Sequence, residues 1–175
     1  MSPSPVRSMT NSESECPSQL LLQRLDSGLF DPYGQVVEPQ DDGGQFGPED
    51  AQLILTAGQP RFYIMRLHQR GRRFDRITRH RRCTQCLGSL AAQPWYIAVA
   101  PPSEASEPDL DAMQAFIVPG DRFIKLHVGT WHAGPYFDAE QVDFYNLELS
   151  DTNLVDHETY SFRDRLGLSF ELVDA

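Results

Sequence analysis

Short apolar runs of period two, cut at close intervals by turn residues, constrain this chain most. Glycine and proline together supply 12 and 13 of its 175 residues. Helical periodicity is almost absent, so the expected class is all-β, a barrel or sandwich of about nine short strands. Residues 94–100 (PWYIAVA) read as a buried strand, and 61–67 (RFYIMRL) are dense in the residues that suit a pleated sheet. Further strands are expected over 36–37, 75–80, 142–149 and 168–173. Residues 115–118 and 122–128 flank a Pro-Gly-Asp turn and predict a hairpin. Residues 19–25 (QLLLQRL) carry a short apolar face and predict one or two helical turns. Phe30-Asp31-Pro32-Tyr33-Gly34 reads as a turn, residues 39–50 as an acidic, Gly-rich surface loop, and 151–153 as another turn. Ser, Pro and Asn dominate residues 1–18, which predicts a disordered tail ahead of one domain over 19–175.

The formal net charge of −10 argues against general nucleic-acid binding. No apolar run approaches the roughly 18 residues that span a bilayer, and the N-terminus lacks the apolar centre of a signal peptide. A cytoplasmic protein is therefore expected. Three cysteines do not suggest a disulfide framework, and the lone Cys83-Thr84-Gln85-Cys86 lacks the second pair that structural zinc wants.

Three groups of residues can carry chemistry. His80, with Thr78 two positions before it and Gln85 five after, forms the first. His127 and His132, around Gly129-Thr130-Trp131, form the second. A metal site draws about three such ligands from separate strands, and His80, Gln85 and His132 can meet in a barrel. The alternative is that each histidine is a surface or satisfied core residue. The third group is basic: nine of the 15 Lys and Arg residues are arginines between 61 and 82. They read as a solvated face, or as an anion site in which Arg66, inside an apolar strand, grips a carboxylate. Trp131 and Trp95 either line a pocket or fill the core. Asp143 either orients a histidine or lies on the surface.

At L-H-V-G-T-W-H-A-G-P-Y-F (126–137), at R-H-R-R-C-T-Q (79–85) and at F-D-P-Y-G-Q-V (30–36) the chain resembles the ureidoglycolate lyases, a branch of the cupins. The resemblance spans roughly residues 27–173 and implies a cupin-type double-stranded β-helix barrel. It implies a small-molecule carboxylate substrate, ureidoglycolate, split into glyoxylate and urea. It implies a divalent metal of nickel type on His80, Gln85 and His132, and a homodimer. His127 is then the base or a substrate contact, Arg66 holds the carboxylate, and Thr78, Trp131 and Asp143 line or support the pocket. The chain departs from the pattern at Thr78, where the lyases tend to have Glu, and at Ala92, where the first cupin motif closes on glycine. Those departures leave two other readings: a binding or regulatory module without this activity, and an enzyme for another small hydroxy acid.

Overall fold

The computed structural model describes residues 16–175. The tail expected over 1–18 lies outside the described residues except for its last three, of which Ser18 already opens a strand. In chain order the elements are β1 (Ser18–Arg24), α1 (Ser27–Phe30), β2 (Gly34–Val37), β3 (Pro60–His68), β4 (Arg73–Phe74), β5 (Arg76–Arg79), β6 (Gln85–Ser89), β7 (Ala92–Ala100) and β8 (Gln114–Gly120). They continue as β9 (Phe123–Leu126), β10 (Trp131–Tyr136), β11 (Gln141–Leu149), α2 (Thr152–Val155), β12 (Glu158–Ser161), α3 (Phe162–Leu166) and β13 (Phe170–Asp174).

Two sheets hold these strands, in the orders β12-β5-β10-β7-β8-β1-β13-β4 and β2-β9-β6-β11-β3. They curl towards each other as the halves of a barrel, which is the mainly-β, cupin-like fold the sequence predicts. Because side chains alternate across a strand, the larger sheet buries both faces. Trp95, Ile97 and Val99 of β7 point inward, to pack with Phe116, Ile124, Leu126 and Phe144 in the barrel core. Tyr96, Ala98 and Ala100 of the same strand point outward. There they join Trp131, Tyr160, Phe162 and Phe170 in a second core beneath β12, α3 and β13. Among the described residues no helix is long and apolar enough to cross a membrane.

Two local expectations give way to pairing. Residues 19–25 are not helical: β1 lies between β13 and β8, parallel to both, with Leu22 opposite Asp174 and Ala115. The ladder hydrogen bonds and the burial of Leu22 outweigh the weak helical face. The Pro-Gly-Asp turn is not the tip of a hairpin. It carries the chain from β8 in one sheet to β9 in the other, so the apolar faces of 115–118 and 122–128 meet across the core rather than side by side. The strands β6 and β10 were not anticipated; their glycines and small residues hide the alternation.

Between β6 and β7 the chain turns on Ala91 and Ala92, at φ of 57° and 54°. A side chain in this left-handed region costs about 1–2 kcal/mol. Ala92 is pressed against β8, where a Cβ on Gly120 would overlap its carbonyl. Ala92→Gly is expected to raise stability by up to about 1 kcal/mol, after allowing for glycine's larger entropy loss on folding. In a domain of this size that is a rise of about 2–4 °C in Tm by calorimetry. An unchanged or lower Tm would show that the turn is not strained.

Candidate functional site

Strand parity sets the site. On β11 the inward positions are Val142, Phe144, Asn146 and Glu148, so the face that builds the core turns polar towards one end of the barrel. On β3 the inward positions paired with it are Tyr63, Met65 and Leu67. Gln85 opens β6, His80 follows β5, and His132 lies on β10 opposite Thr78 and Val99. His80, Gln85, His132, Tyr63, Asn146 and Glu148, with Met65, Asn153 and His157, line a cavity of about 140 Å³ at the polar end of the barrel.

The polar groups in it are held by a closed network. The Gln85 amide donates from Nε2 to Asn146 Oδ1 at 3.1 Å and to Glu148 Oε2 at 3.0 Å. Tyr63 donates its hydroxyl to Glu148 Oε1 at 3.2 Å and accepts from Asn146 Nδ2 at 3.0 Å. Asn146 and Glu148 are 1% and 2% exposed, so these bonds are the return for burying an amide and a carboxylate. Burial above all keeps the Tyr63 hydroxyl above its usual pKa, so it stays a donor. With Nε2 committed twice, Gln85 Oε1 is left buried with no partner.

The two histidines are fixed in the same tautomer. His80 Nδ1 donates to the Asp156 carbonyl, and His132 Nδ1 donates to the Thr130 carbonyl at 3.2 Å. Each ring therefore keeps its lone pair on Nε2. The ring centroids are 5.1 Å apart. Burial lowers the pKa of both imidazoles. For His132, burial with His80 beside it brings the value down to about 3, so both rings are neutral at pH 7.

Asp156 braces this arrangement. Its carboxylate accepts from the backbone N–H of Arg81 at 2.7 Å and of Arg82 at 2.9 Å, while its carbonyl holds His80. The residue before His80 is pinned as firmly. Arg79, 1% exposed, forks onto Glu158 at 2.9 and 2.7 Å, donates to the Ser103 carbonyl, and stacks on Trp131. The His80 carbonyl accepts from Gly129, tying the segment to the turn before β10.

Of the residues singled out from sequence, His80, Gln85 and His132 come together in the cavity. Thr78 lies beside His132 but turns its hydroxyl to Thr159, which in turn reaches His157 Nδ1 at 3.3 Å. His127 is not in the cavity. Its Nε2 donates to the Asp31 carbonyl and its Nδ1 accepts from Lys125, so the ring ties β9 to the turn after α1. Arg66 is on the outer face of β3, 62% exposed, and forks onto Asp143 at 2.8 and 2.9 Å. That pairing removes Asp143 from any histidine of the cavity as well. Trp131 belongs to the outer core under Arg79 and does not line the pocket. Cys83 and Cys86 are buried free thiols, their pKa raised by burial.

Sequence reading missed Glu148, Asn146, Tyr63 and His157. The first three had a signal: they share parity with Phe144 and Met65, whose apolar character marks the inward face. Among the described residues no three or more His, Cys, Asp or Glu side chains are arranged to hold a metal ion. A metal here would have to use the Gln85 amide oxygen together with the two imidazoles.

The ureidoglycolate lyase family model matches residues 17–168, and the chain belongs to that family. No curated protein matches it.

The buried imidazoles give a pH signature. His132 titrates near 3 when folded and near the ordinary 6.5 when unfolded, so between these values the unfolded chain binds the extra proton. Stability is then expected to fall as pH drops from 6.5 towards 3, with His132 contributing up to about 1.4 kcal/mol per pH unit. Urea unfolding of chelator-treated protein at pH 4.5 to 7 measures this. His132→Gln should flatten the dependence, and identical slopes in the two proteins would contradict the assignment.

Proposed function

We propose that this member of the ureidoglycolate lyase family splits ureidoglycolate into glyoxylate and urea in the cavity between its sheets. The observation that carries the reading is the convergence of two neutral imidazole lone pairs, an unpartnered amide oxygen and a buried carboxylate on one small cavity. The reaction asks little else. A proton leaves the substrate hydroxyl, the C–O bond becomes a carbonyl, the C–N electron pair departs with urea nitrogen, and a proton arrives there. No net proton is consumed.

Glu148 is the carboxylate among the residues lining the cavity, and it takes the place of His127 as the base in this reading. It accepts the hydroxyl proton and returns it to the departing nitrogen. Tyr63 and Gln85 fix both its oxygens, so it is aimed before substrate arrives. Asn146 holds Tyr63 and the Gln85 amide in register. His157, 5.7 Å from His80 between ring centroids, also lines the cavity and contacts the leaving urea.

The divalent metal implied by the family resemblance fits this donor set. His80 Nε2, His132 Nε2 and Gln85 Oε1 would hold it, the first two being neutral and the last unsatisfied without a ligand. When bound, such an ion supplies charge that polarises the substrate oxygens and lowers the hydroxyl pKa. One observation favours the reading of a binding module without turnover: the Thr78 hydroxyl is spent on Thr159, so the cavity lacks a fourth ligand from that position.

Purified protein, loaded with nickel or manganese and given ureidoglycolate, is expected to release glyoxylate and urea in equal amounts. Glu148→Gln should lower kcat by about 10²–10⁴. His80→Ala and His132→Ala should lose both bound metal and activity, and His127→Ala should stay within a few-fold of wild type. Metal binding without glyoxylate would leave the binding-module reading standing alone. Full activity in Glu148→Gln would remove Glu148 from the chemistry.

A further inference from the structure

Among the described residues no lysine or arginine side chain lines this cavity to meet the carboxylate of a substrate. The donors that line it are imidazoles, amides and a phenol. The arginine-rich stretch offers nine candidates. Among the described residues six of them are already paired with carboxylates: Arg66, Arg72, Arg73, Arg79, Arg81 and Arg82. Arg61, Arg70 and Arg76 remain.

Of these three, Arg61 alone stacks on a side chain that lines the cavity. Its guanidinium carbon lies 3.7 Å from the centroid of the Tyr63 ring. Arg70 stacks instead on Tyr136, in the outer core. Arg61 has the parity of Tyr63, Met65 and Leu67, and it is the cross-strand partner of Glu148. It therefore stands on the inward face of β3, at the open end. Glu148 is bonded to Tyr63 and Gln85, and among the described residues no ion pair joins it to Arg61. The stacking against Tyr63 restricts the guanidinium plane, and Arg61 as a residue is exposed to solvent.

We propose that Arg61 takes the carboxylate of the substrate at the rim of the cavity and sets the specificity of the site for small α-hydroxy acids. The carboxylate meets the fork of the guanidinium, and the substituted carbon then hangs inward past Tyr63 towards Glu148 and the histidines. This rests on the lyase reading of the same cavity. Arg61 replaces Arg66, one strand position of opposite parity away from the inward face, as the anion partner.

Two measurements separate this inference from the reading beneath it. In steady-state kinetics of the metal-loaded enzyme, Arg61→Leu is expected to raise KM for ureidoglycolate about 10- to 100-fold, with a smaller effect on kcat. Arg61→Lys should recover part of the loss, and Arg66→Leu should match wild type. Inhibition by urea, which has no carboxylate, should be the same in Arg61→Leu and wild type. Independently of turnover, ligand-observed NMR with glycolate should show binding to wild type and not to Arg61→Leu. An Arg61→Leu protein with wild-type Tm, KM and glycolate binding would overturn the assignment. Glycolate binding that depends on Arg61 in a protein without lyase activity would keep Arg61 and sink the reaction. A wild-type protein that binds no glycolate and turns nothing over would sink both.

Discussion

The arrangement of this site depends on Asp156. A buried carboxylate is costly unless its oxygens are bonded, and this one spends both on the backbone of Arg81 and Arg82. Its own carbonyl takes the His80 ring. One residue from the loop after α2 therefore fixes the path of the chain leaving β5 and the tautomer of the imidazole it carries. The neighbouring ties of Arg79 to Glu158, Ser103 and Trp131 act on the same stretch from the outer side of the sheet. His80 is held from both faces of the β-layer, and His132 meets it because Gly129 bonds the His80 carbonyl. Preorganisation here is a property of backbone hydrogen bonds more than of the cavity wall.

The polar network and the barrel core are parts of one surface. Along β11 the inward residues run Val142, Phe144, Asn146 and Glu148, from hydrocarbon to charge within four alternate positions. The apolar half excludes water and the polar half uses the low dielectric that results. Gln85 does the same at the start of β6, where the inward Leu87 belongs to the core. A substitution that loosens Phe144 or Leu87 would therefore act on the site through Asn146 and Gln85.

Much of this was legible in the chain. His80, Gln85 and His132 could be picked out through the resemblance to the ureidoglycolate lyases, spacing alone allowing only that a barrel can bring them together. What was not legible was phase. Arg66 sits among apolar neighbours, and without a register either face of β3 can be the inner one; pairing with β11 puts 61, 63, 65 and 67 inside and Arg66 outside. Phase also decides between the two readings of Asp143: one residue out of step with Val142 and Phe144, it lies on the outer face with Arg66. His127 follows an inward Leu126 at the end of β9, and the change of direction there turns its ring to Asp31. The short Leu-rich run at 19–25 misleads differently, because its partners lie some ninety and a hundred and fifty residues away in sequence and local pattern carries no trace of them.

That last pairing has a consequence for how the protein is made. β1 precedes both strands that flank it, β8 and β13, by some ninety and a hundred and fifty residues, so it is made before either partner. One edge of β1 can pair once β8 has been made, but the other stays open until β13 follows, so Leu22 waits for partners far along the chain. Closure of the larger sheet is then a late event whose search spans some hundred and fifty residues. During that interval the nascent protein presents an unpaired apolar strand, the kind of surface that chaperones hold and that promotes aggregation when they are scarce.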